Sequence, residues 1–369
     1  MIVLQVNFAV DSALTDPDEL LDRYSTLTGW SEALLEAGAA RVVVQQRFPA
    51  HTIITRKGVE YRFGRGSQLT ASDLGGIDIA HVNGLEFPGR THRLRATLRS
   101  FTPIVVQDHA SGPPPRNAAR RALRQWGFGV VDAFLFTAAQ LADPWRAADV
   151  IRPQQRVYEV LEASTAMRPM PRHAAREASG IEGSPALLWV GRLNANKDPL
   201  TVLAGFERIV VPCREASLTM VFGSDELLPE VRAKLSTSPA LHRRVRLVGY
   251  VPPEKLPAYY SAADIFVLGS HHEGSGYALI EACACGAIPV VTSIPAFRAI
   301  TGDGARGALW PPGDDVGLAH ALLETAKRDL VSRRAEVARH FTRELSWAAV
   351  GRRALDVYDE VRARRRSSR

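Results

Sequence analysis

A glycine-rich stretch with a glutamate at each end carries the densest chemistry in the chain. It runs from Glu273 to Glu281, eight positions later, after an apolar run and into a helical pattern. Its glycines allow the backbone to approach a ligand closely, and the first N–H groups of a helix have no partner within it. Such a loop can hold a phosphate group, with Glu273 reaching a group beyond it and Glu281 accepting hydrogen bonds from a diol such as a ribose. The alternative is a glycine-rich turn followed by a capped helix with a surface glutamate.

Two cations lie in a second loop between an apolar run and a helical pattern. Arg192 and Lys197 follow the run 186–190, and lysine is rare in this chain. Arginine offers a fork of donors and lysine a point charge, so the two can grip a diphosphate. A solvated polar loop is the alternative. Because both loops are expected at one edge of a sheet, their amides and cations together suit a nucleoside diphosphate.

These segments resemble motifs of a known family. The block from Glu273 to Glu281 looks like the E-x7-E motif of the retaining GT-B glycosyltransferases called family 4, or glycosyl transferases group 1. The loop from Gly191 to Lys197 resembles that family's diphosphate clamp. Segments 248–264, 286–292 and 307–314 are similar to further family motifs in the expected order, so the resemblance covers about residues 186–320.

The resemblance implies a role for each matching residue. Arg192 and Lys197 would neutralise the leaving diphosphate, and Glu273 would contact hydroxyls of the donor sugar. Glu281 would hold the ribose hydroxyls, and Val251 lies in the segment similar to the one near the nucleotide base. The residues implied to present backbone donors to the donor substrate are Gly274, Ser275, Gly276 and Tyr277.

The implied reaction moves a sugar from a nucleotide-diphospho-sugar to a hydroxyl acceptor with retention of configuration. The implied setting is polysaccharide or glycolipid synthesis for the cell envelope, with a glycan or lipid-linked acceptor. Fixed cations and helix-end amides would stabilise the departing diphosphate, so no metal and no cofactor are expected. The family usually has phenylalanine at the position of Ser275, which leaves the shape of the sugar pocket open.

Two other functions are compatible with parts of the sequence. One is a different GT-B enzyme acting on sugar nucleotides, such as an epimerase. The other is a basic nucleic-acid-binding protein, suggested by the net charge of +7. Only 7% of residues are aromatic, and the sequence has neither a stacking ribbon nor zinc-finger spacing, so nucleic acid is not an expected partner.

Short apolar runs alternate with helical patterns in both halves, which predicts parallel βαβ units. The expected fold is α/β, with two Rossmann-like doubly wound domains facing a cleft, the GT-B arrangement. The predicted strands lie at 1–8, 41–46, 77–82, 103–107, 133–137, 156–161, 186–190, 217–222, 245–247, 264–268 and 288–292. The predicted parts are an acceptor-binding domain (1–165), a linker (166–185), a nucleotide-sugar-binding domain (186–345) and a helix crossing back to the first domain (346–369).

The N-terminal half offers fewer candidates. His109 follows a predicted strand and resembles the family's active-site histidine, which contacts the donor sugar; a satisfied polar residue is the equal alternative. For His81 the structural interpretation is favoured. The family usually has paired glycines after the first strand, which this chain lacks. Gly29, ahead of a helix predicted over 31–39, is the candidate replacement on the acceptor side.

Composition sets the broad class. The 369 residues suit two domains, and 46% apolar with 23% charged residues is typical of a soluble globular protein. No apolar run approaches the ~20 residues that span a bilayer, the first residues do not resemble a signal peptide, and three cysteines indicate a reducing cytoplasm. Arginines crowd segment 90–124, either as a solvated face or as a peripheral contact with anionic lipid on the inner face of the plasma membrane.

Overall fold

The protein is described by a computed structural model that covers residues 1–66, 76–109 and 111–367. The chain forms two compact units. The first holds residues 1–164 together with the C-terminal segment that starts at Trp347, and the second is Thr165–Ser346. Ala110, inside the strand-end loop that carries His109, and the last two residues of the predicted C-terminal helix lie outside the described residues.

The first unit is built on an eight-stranded sheet with the order β3-β4-β2-β1-β5-β6-β7-β8. Neighbouring strands are parallel except for β3 and β4, which form an antiparallel hairpin. The central strands are buried apolar runs, as expected for a sheet covered on both faces. The strands are β1 (Ile2–Asn7), β2 (Arg41–Arg47), β3 (Thr52–Arg56), β4 (Val59–Gly64), β5 (Ile79–Asn83), β6 (Ile104–Gln107), β7 (Ala133–Phe136) and β8 (Arg156–Glu159).

The second unit contains a six-stranded parallel sheet with the order β11-β10-β9-β12-β13-β14. The strand order reverses between β9 and β12, where the crossovers leave on opposite sides. Ligands of open α/β sheets bind beyond the carboxyl ends of the strands at such a point. The strands are β9 (Ala186–Gly191), β10 (Ser217–Phe222), β11 (Val245–Gly249), β12 (Ile265–Leu268), β13 (Ile288–Thr292) and β14 (Ala308–Trp310).

Helices connect the strands and cover the sheets. In the first unit they are α1 (Pro17–Arg23), α2 (Ser25–Glu36), α3 (Pro88–Thr97), α4 (Ala118–Gly127), α5 (Asp143–Ala147) and, from the chain end, α15 (Trp347–Ser367). In the second unit they are α6 (Arg172–Ser179), α7 (Pro199–Ile209), α8 (Leu228–Thr237), α9 (Pro239–Arg244), α10 (Leu256–Ala262), α11 (Tyr277–Ala284), α12 (Pro295–Thr301), α13 (Asp315–Ala326) and α14 (Leu330–His340). Within the described ranges, no helix is long and apolar enough to cross a bilayer.

The expected fold class is confirmed: both sheets are doubly wound. All eleven predicted strands are present, whereas the hairpin β3–β4 and the short β14 were not predicted. The stretch 166–185, predicted to be a linker, lies within the second unit and contains α6.

Gly29 corrects one expectation. It lies inside α2, which begins at Ser25 and not at Ser31, so it is not a loop glycine ahead of a helix. A Cβ on Gly29 would lie 2.5–2.8 Å from the indole of Trp347, at the start of α15. Its lack of a side chain therefore serves the packing of α15 against α2. Glycine is needed there for close approach and not for ligand contact.

Candidate functional site

The loop after β9 is built by two short polar caps. Asn194 Oδ1 accepts a hydrogen bond from the Lys197 backbone N–H at 3.1 Å and closes a 3₁₀ turn. Asp198, with a positive φ of 43°, caps α7 by accepting from the Thr201 N–H at 3.2 Å. These caps hold the Lys197 side chain in a partly buried position. Arg192 is exposed, and its guanidinium has no hydrogen bond or ion pair with the residues that the structure describes.

The loop after β12 leads directly into α11. Gly276 is the cap residue of this helix and has a φ of 68°, in the left-handed region that favours glycine. A Cβ at this position would lie 2.7 Å from the Ile300 side chain. Because glycine has no side chain, the cap residue cannot accept side-chain hydrogen bonds from the first backbone N–H groups of α11. This helix start is therefore suited to an anion.

Four hydrogen bonds join the two loops. The backbone N–H of His271 donates to the Asn196 carbonyl at 2.8 Å, and that of His272 donates to Asn196 Oδ1 at 3.0 Å. The Asn196 side-chain amide donates back to the His272 carbonyl at 3.0 Å, and His271 Nε2 lies 3.0 Å from Asp198 Oδ2. The loops on either side of the strand-order reversal thus form one connected structure.

A lysine–glutamate pair lies where the loops meet. Lys197 Nζ forms an ion pair with Glu273 Oε1, and their side chains are only 16% and 14% exposed. The Ser270 hydroxyl donates to the same carboxylate oxygen at 2.8 Å, and Thr292 Oγ1 donates to the Ser270 carbonyl at 2.5 Å. The Glu273 carboxylate is thereby held by Lys197 from the loop after β9 and by Ser270 from its own loop.

Glu281 lies on α11 and has a different partner. The Tyr260 hydroxyl, from α10, donates to Glu281 Oε2 at 2.8 Å. Burial raises the pKa of Glu281 above its ordinary value, and the hydrogen bond from Tyr260 opposes that shift. The carboxyl group is half-buried, and the hydrogen bond fixes one of its two oxygens.

A pocket of about 280 Å³ lies at the carboxyl ends of β1, β5 and β6 in the first unit. His109 lines this pocket; its Nδ1 is 2.8 Å from Glu162 Oε2 and its Nε2 is 3.3 Å from Asn83 Oδ1. Burial alone would lower the pKa of His109, but the hydrogen bond and charge of Glu162 outweigh it, so the pKa is raised. Burial raises the pKa of Glu162 itself.

Residues 184–328 match the model of a family described as Glycosyl transferases group 1. This segment lies within the second unit, which is therefore similar to the group 1 glycosyltransferases over most of its length.

Alignments with two curated relatives cover about half of this chain. Mannosylfructose-phosphate synthase of Agrobacterium fabrum is 31% identical over 194 residues, 50% of this chain and 42% of that protein. D-inositol 3-phosphate glycosyltransferase of Thermobispora bispora is 28% identical over 204 residues, 53% of this chain and 47% of that protein. The alignments thus span less than half the length of these two relatives.

Solved structures align with nearly the whole chain. Sucrose-phosphate synthase from Thermosynechococcus elongatus has a TM-score of 0.69 at 20% identity and covers 98% of this chain and 99% of its own. A trehalose-6-phosphate structure from E. coli, bound with UDP-2-fluoro glucose, has a TM-score of 0.66 at 12% identity, with 98% and 99% covered. The fold is therefore the GT-B fold of these glycosyltransferases.

The predicted site residues of the second unit are only partly brought together. Lys197 contacts Glu273, and their loops are joined, whereas Arg192 and Glu281 form no hydrogen bond or ion pair with either within the described ranges. Val251 is buried in the loop after β11, two strands away from β9. Gly274 to Tyr277 form the end of the β12 loop and the start of α11. The roles assigned to these residues stay predictions.

In the first unit, Gly29 does not line the His109 pocket, although its neighbours Leu27 and Trp30 do. His81 is fully buried and hydrogen-bonded through Nδ1 to the Tyr358 hydroxyl, in keeping with the structural interpretation. Burial lowers the pKa of His81 to about 3, so this side chain is neutral.

Four residues important for the geometry were not singled out from the sequence: Asn196, Ser270, Tyr260 and Glu162. Glu162 could have been selected from the sequence, because it directly follows the predicted strand 156–161, and ligands of α/β sheets bind beyond the carboxyl ends of the strands. Asn196 and Tyr260 contact residues 76 and 21 positions away in the sequence, whereas Ser270 contacts Glu273 only three positions away.

Proposed function

We propose that this protein is a retaining glycosyltransferase that moves a sugar from a nucleotide-diphospho-sugar to a hydroxyl acceptor. The observation that carries the proposal is the joined pair of loops at the strand-order reversal of the second unit, with Lys197, Glu273 and the start of α11 in one structure. The match of residues 184–328 to the group 1 family and the GT-B fold support it. Polysaccharide or glycolipid synthesis is the proposed setting.

The leaving diphosphate is the group these loops would stabilise. Its negative charge grows as the bond to the sugar breaks, so donors fixed in advance lower the barrier. The backbone N–H groups of residues 274–277 at the start of α11 supply such donors, and the helix dipole adds to them. Arg192, which is exposed, would donate paired hydrogen bonds from its planar guanidinium to the diphosphate.

Lys197 and Glu273 would act as a unit. Lys197 supplies positive charge beside the diphosphate, and its contact with Glu273 holds the carboxylate in place for the sugar. A carboxylate held in this way can accept hydrogen bonds from sugar hydroxyls and stabilise the developing oxocarbenium ion. Glu281 would accept hydrogen bonds from the ribose through the oxygen that Tyr260 does not bind.

The acceptor would bind in the first unit, at the pocket that holds His109. Glu162 favours the protonated imidazole, which is a donor at both nitrogens. We propose that His109 contacts the donor sugar there. Solved neighbours that contain UDP together with a sugar support a nucleotide-sugar donor for this chain as well.

The proposed reaction needs no metal ion or cofactor, because Arg192, Lys197 and helix N–H groups stabilise the diphosphate. Within residues 1–66, 76–109 and 111–367, no three His, Cys, Asp or Glu side chains are grouped as metal ligands. Transfer measured after dialysis against EDTA should equal transfer with added Mg²⁺. A dependence on Mg²⁺ would remove this part of the proposal.

We also propose a peripheral membrane contact through α4. Leu123 and Trp126 are 49% and 51% exposed on this helix, which also carries Arg120, Arg121 and Arg124. Exposed apolar residues beside arginines suit an anionic bilayer surface. Sedimentation with anionic liposomes should show salt-sensitive binding that Trp126→Gln weakens. Val211→Gln, at an even more exposed apolar position in the second unit, should not weaken it.

The decisive experiment is a thermal-shift screen of nucleotide-sugars with wild-type protein, Arg192→Ala and Glu281→Ala. A ligand at 100 times its Kd stabilises the folded state by about 2.7 kcal/mol, so the donor should stand out. Both variants should lose the shift, while Glu230→Gln, an exposed acid of the same unit, should keep it.

Product analysis with and without acceptor then separates the possible reactions. Consumption of the donor with a new glycoside identifies a transferase. A new nucleotide-sugar isomer without acceptor would indicate an epimerase instead. Binding of DNA without any nucleotide-sugar shift would contradict both.

A further inference from the structure

A second pocket of the first unit, about 160 Å³ in volume, is surrounded by arginines. Arg47 ends β2, Arg65 directly follows β4, and Arg90 and Arg93 lie on α3. Phe8, just after β1, forms part of the wall. We call this the arginine pocket. Three separate segments of the fold thus direct cations to one cavity.

Among the described residues, no carboxylate compensates the positive charge of the arginine pocket. No aspartate or glutamate is among its described lining residues, and none of its four arginines forms an ion pair with a residue of the described ranges. Arg65 Nε donates to the Pro49 carbonyl at 3.1 Å, and the Arg90 guanidinium lies 6.0 Å from the Phe8 ring centroid. Neither contact neutralises charge.

Elsewhere in the same unit, arginines are paired with acids. Arg41 and Arg62 both contact Glu60, and Arg56 lies 2.6 Å from Asp22. In the arginine pocket, by contrast, burial and then the like charges of Arg47 and Arg93 lower the pKa of Arg90. Four unpaired guanidiniums repel one another, so an anion between them would relieve that repulsion.

The location connects the arginine pocket with the proposed acceptor site. It lies beyond the carboxyl ends of β1, β2 and β4, and Asn7 at the end of β1 lines both this pocket and the one with His109. A molecule with an anionic group in the first pocket can therefore extend past Asn7 into the second.

We propose that the arginine pocket binds the phosphate group of a phosphorylated acceptor. Guanidinium forks match phosphate oxygens, and several cations suit a dianion better than a single carboxylate. The inference rests on the proposed function, because it assigns the charge of the acceptor. The phosphate belongs either to a soluble sugar phosphate or to a lipid headgroup, and the test separates these sources.

The test is isothermal titration calorimetry of the whole protein with inorganic phosphate, glucose 6-phosphate and glucose. Both phosphates should bind and glucose should not. Arg47→Gln and Arg93→Gln should each weaken glucose 6-phosphate binding about tenfold, and Arg47→Lys should restore part of it. Arg214→Gln makes the same charge change at an exposed position of the second unit and should have no effect.

A parallel arm measures sedimentation with phosphatidylglycerol vesicles. If vesicles bind, soluble phosphates do not, and Arg47→Gln abolishes the binding, the phosphate is a lipid headgroup. If Arg47→Gln and Arg93→Gln change neither the binding of phosphate nor the binding of vesicles, the inference is overturned. The nucleotide-sugar thermal shift of the same variants is the independent readout of the proposed function. Its absence in the wild type would refute that function whatever the phosphate arm shows.

Discussion

At the scale of single residues, the contact between Lys197 and Glu273 contributes to the stability of the fold and is part of the proposed active site. Each side chain is largely buried, so the loss of one partner leaves the other charge poorly solvated. We expect Lys197→Met to lower the free energy of unfolding by about 1–3 kcal/mol. Chemical denaturation of the single variants and of the double variant with Glu273→Gln measures this.

The double variant should be more stable than the sum of the single effects predicts, because it removes both charges together. Strict additivity would show that the two side chains do not interact in solution. For activity, Glu273→Gln should keep nucleotide binding but lower the transfer rate about 100-fold or more, the scale seen for a lost transition-state contact. Glu230→Gln is the matched control.

His109 makes a pH-dependent contribution to stability. Glu162 raises the pKa of His109 above its reference of 6.5, against the effect of burial, so folding favours the protonated form. This stabilisation is complete below pH 6.5 and is lost as the pH rises through the raised pKa. The raised pKa of Glu162 has the same sign, because its stabilisation is also lost with rising pH.

We therefore expect the Tm of the wild type to fall relative to that of His109→Gln as the pH rises above 6.5 and through the raised pKa of His109. The difference between the two curves isolates the contribution of this pair, since other groups titrate in both proteins. Parallel curves would show that the ion pair is not formed in solution.

At the scale of elements, the start of α11 depends on Gly276. Its φ of 68° and the nearby Ile300 side chain make any Cβ unfavourable. Gly276→Ala should cost about 1–3 kcal/mol, shift the first turn of α11 and weaken nucleotide binding. Thermal shift with the donor measures this.

Gly302 provides the matched control. It ends α12 with a φ of 60°, but a Cβ there would meet no atom within 4 Å. Gly302→Ala should show the backbone strain without any loss of nucleotide binding. An equal loss of nucleotide binding in both variants would mean that Gly276 affects binding only through the stability of the fold.

The elements also show how much the sequence could predict. Strands such as Ile288–Thr292 are continuous buried apolar runs and are recognisable without the structure. The β3–β4 hairpin was missed because β3 lies at the sheet edge, where its residues alternate between half-buried and exposed and none is fully buried. Its turn, Lys57-Gly58, has positive φ at both positions, and the glycine was an available signal.

Polar residues that follow strands, such as Arg192, Lys197 and Glu273, could be selected from the sequence as candidates. Their hydrogen-bond partners could not. Tyr260 reaches Glu281 only because α10 packs beside α11, and no local pattern encodes that contact. The contact of Ser270 with Glu273, three positions later, is local, but a serine in a loop does not by itself indicate its partner.

Gly29 was expected in a loop but lies within α2. Its lack of a side chain leaves room for Trp347, which lies more than 300 positions later in the sequence, so no local pattern could reveal this packing role.

At the scale of the whole molecule, the chain returns to its first unit after completing the second. The helix α15 buries Val350, Ala354, Val357 and Tyr358 in the core that also contains Trp30 and Leu34 of α2. A Cβ on Gly351 would collide with the Ala33 backbone, so the two helices approach at glycines on both sides. The first unit therefore depends on residues from both ends of the chain.

This dependence predicts that Gly29→Ala destabilises the first unit by about 1–3 kcal/mol, because a methyl group must displace the Trp347 indole. Gly89→Ala is the matched control: Gly89 is also helical, a Cβ there meets no atom within 4 Å, and the change should be neutral or stabilising by up to about 1 kcal/mol. Trp347→Leu added to Gly29→Ala should recover part of the loss, while nucleotide binding by the second unit stays unchanged. Denaturant unfolding distinguishes these outcomes. If Gly29→Ala matches Gly89→Ala in stability, α15 does not pack on α2 as described.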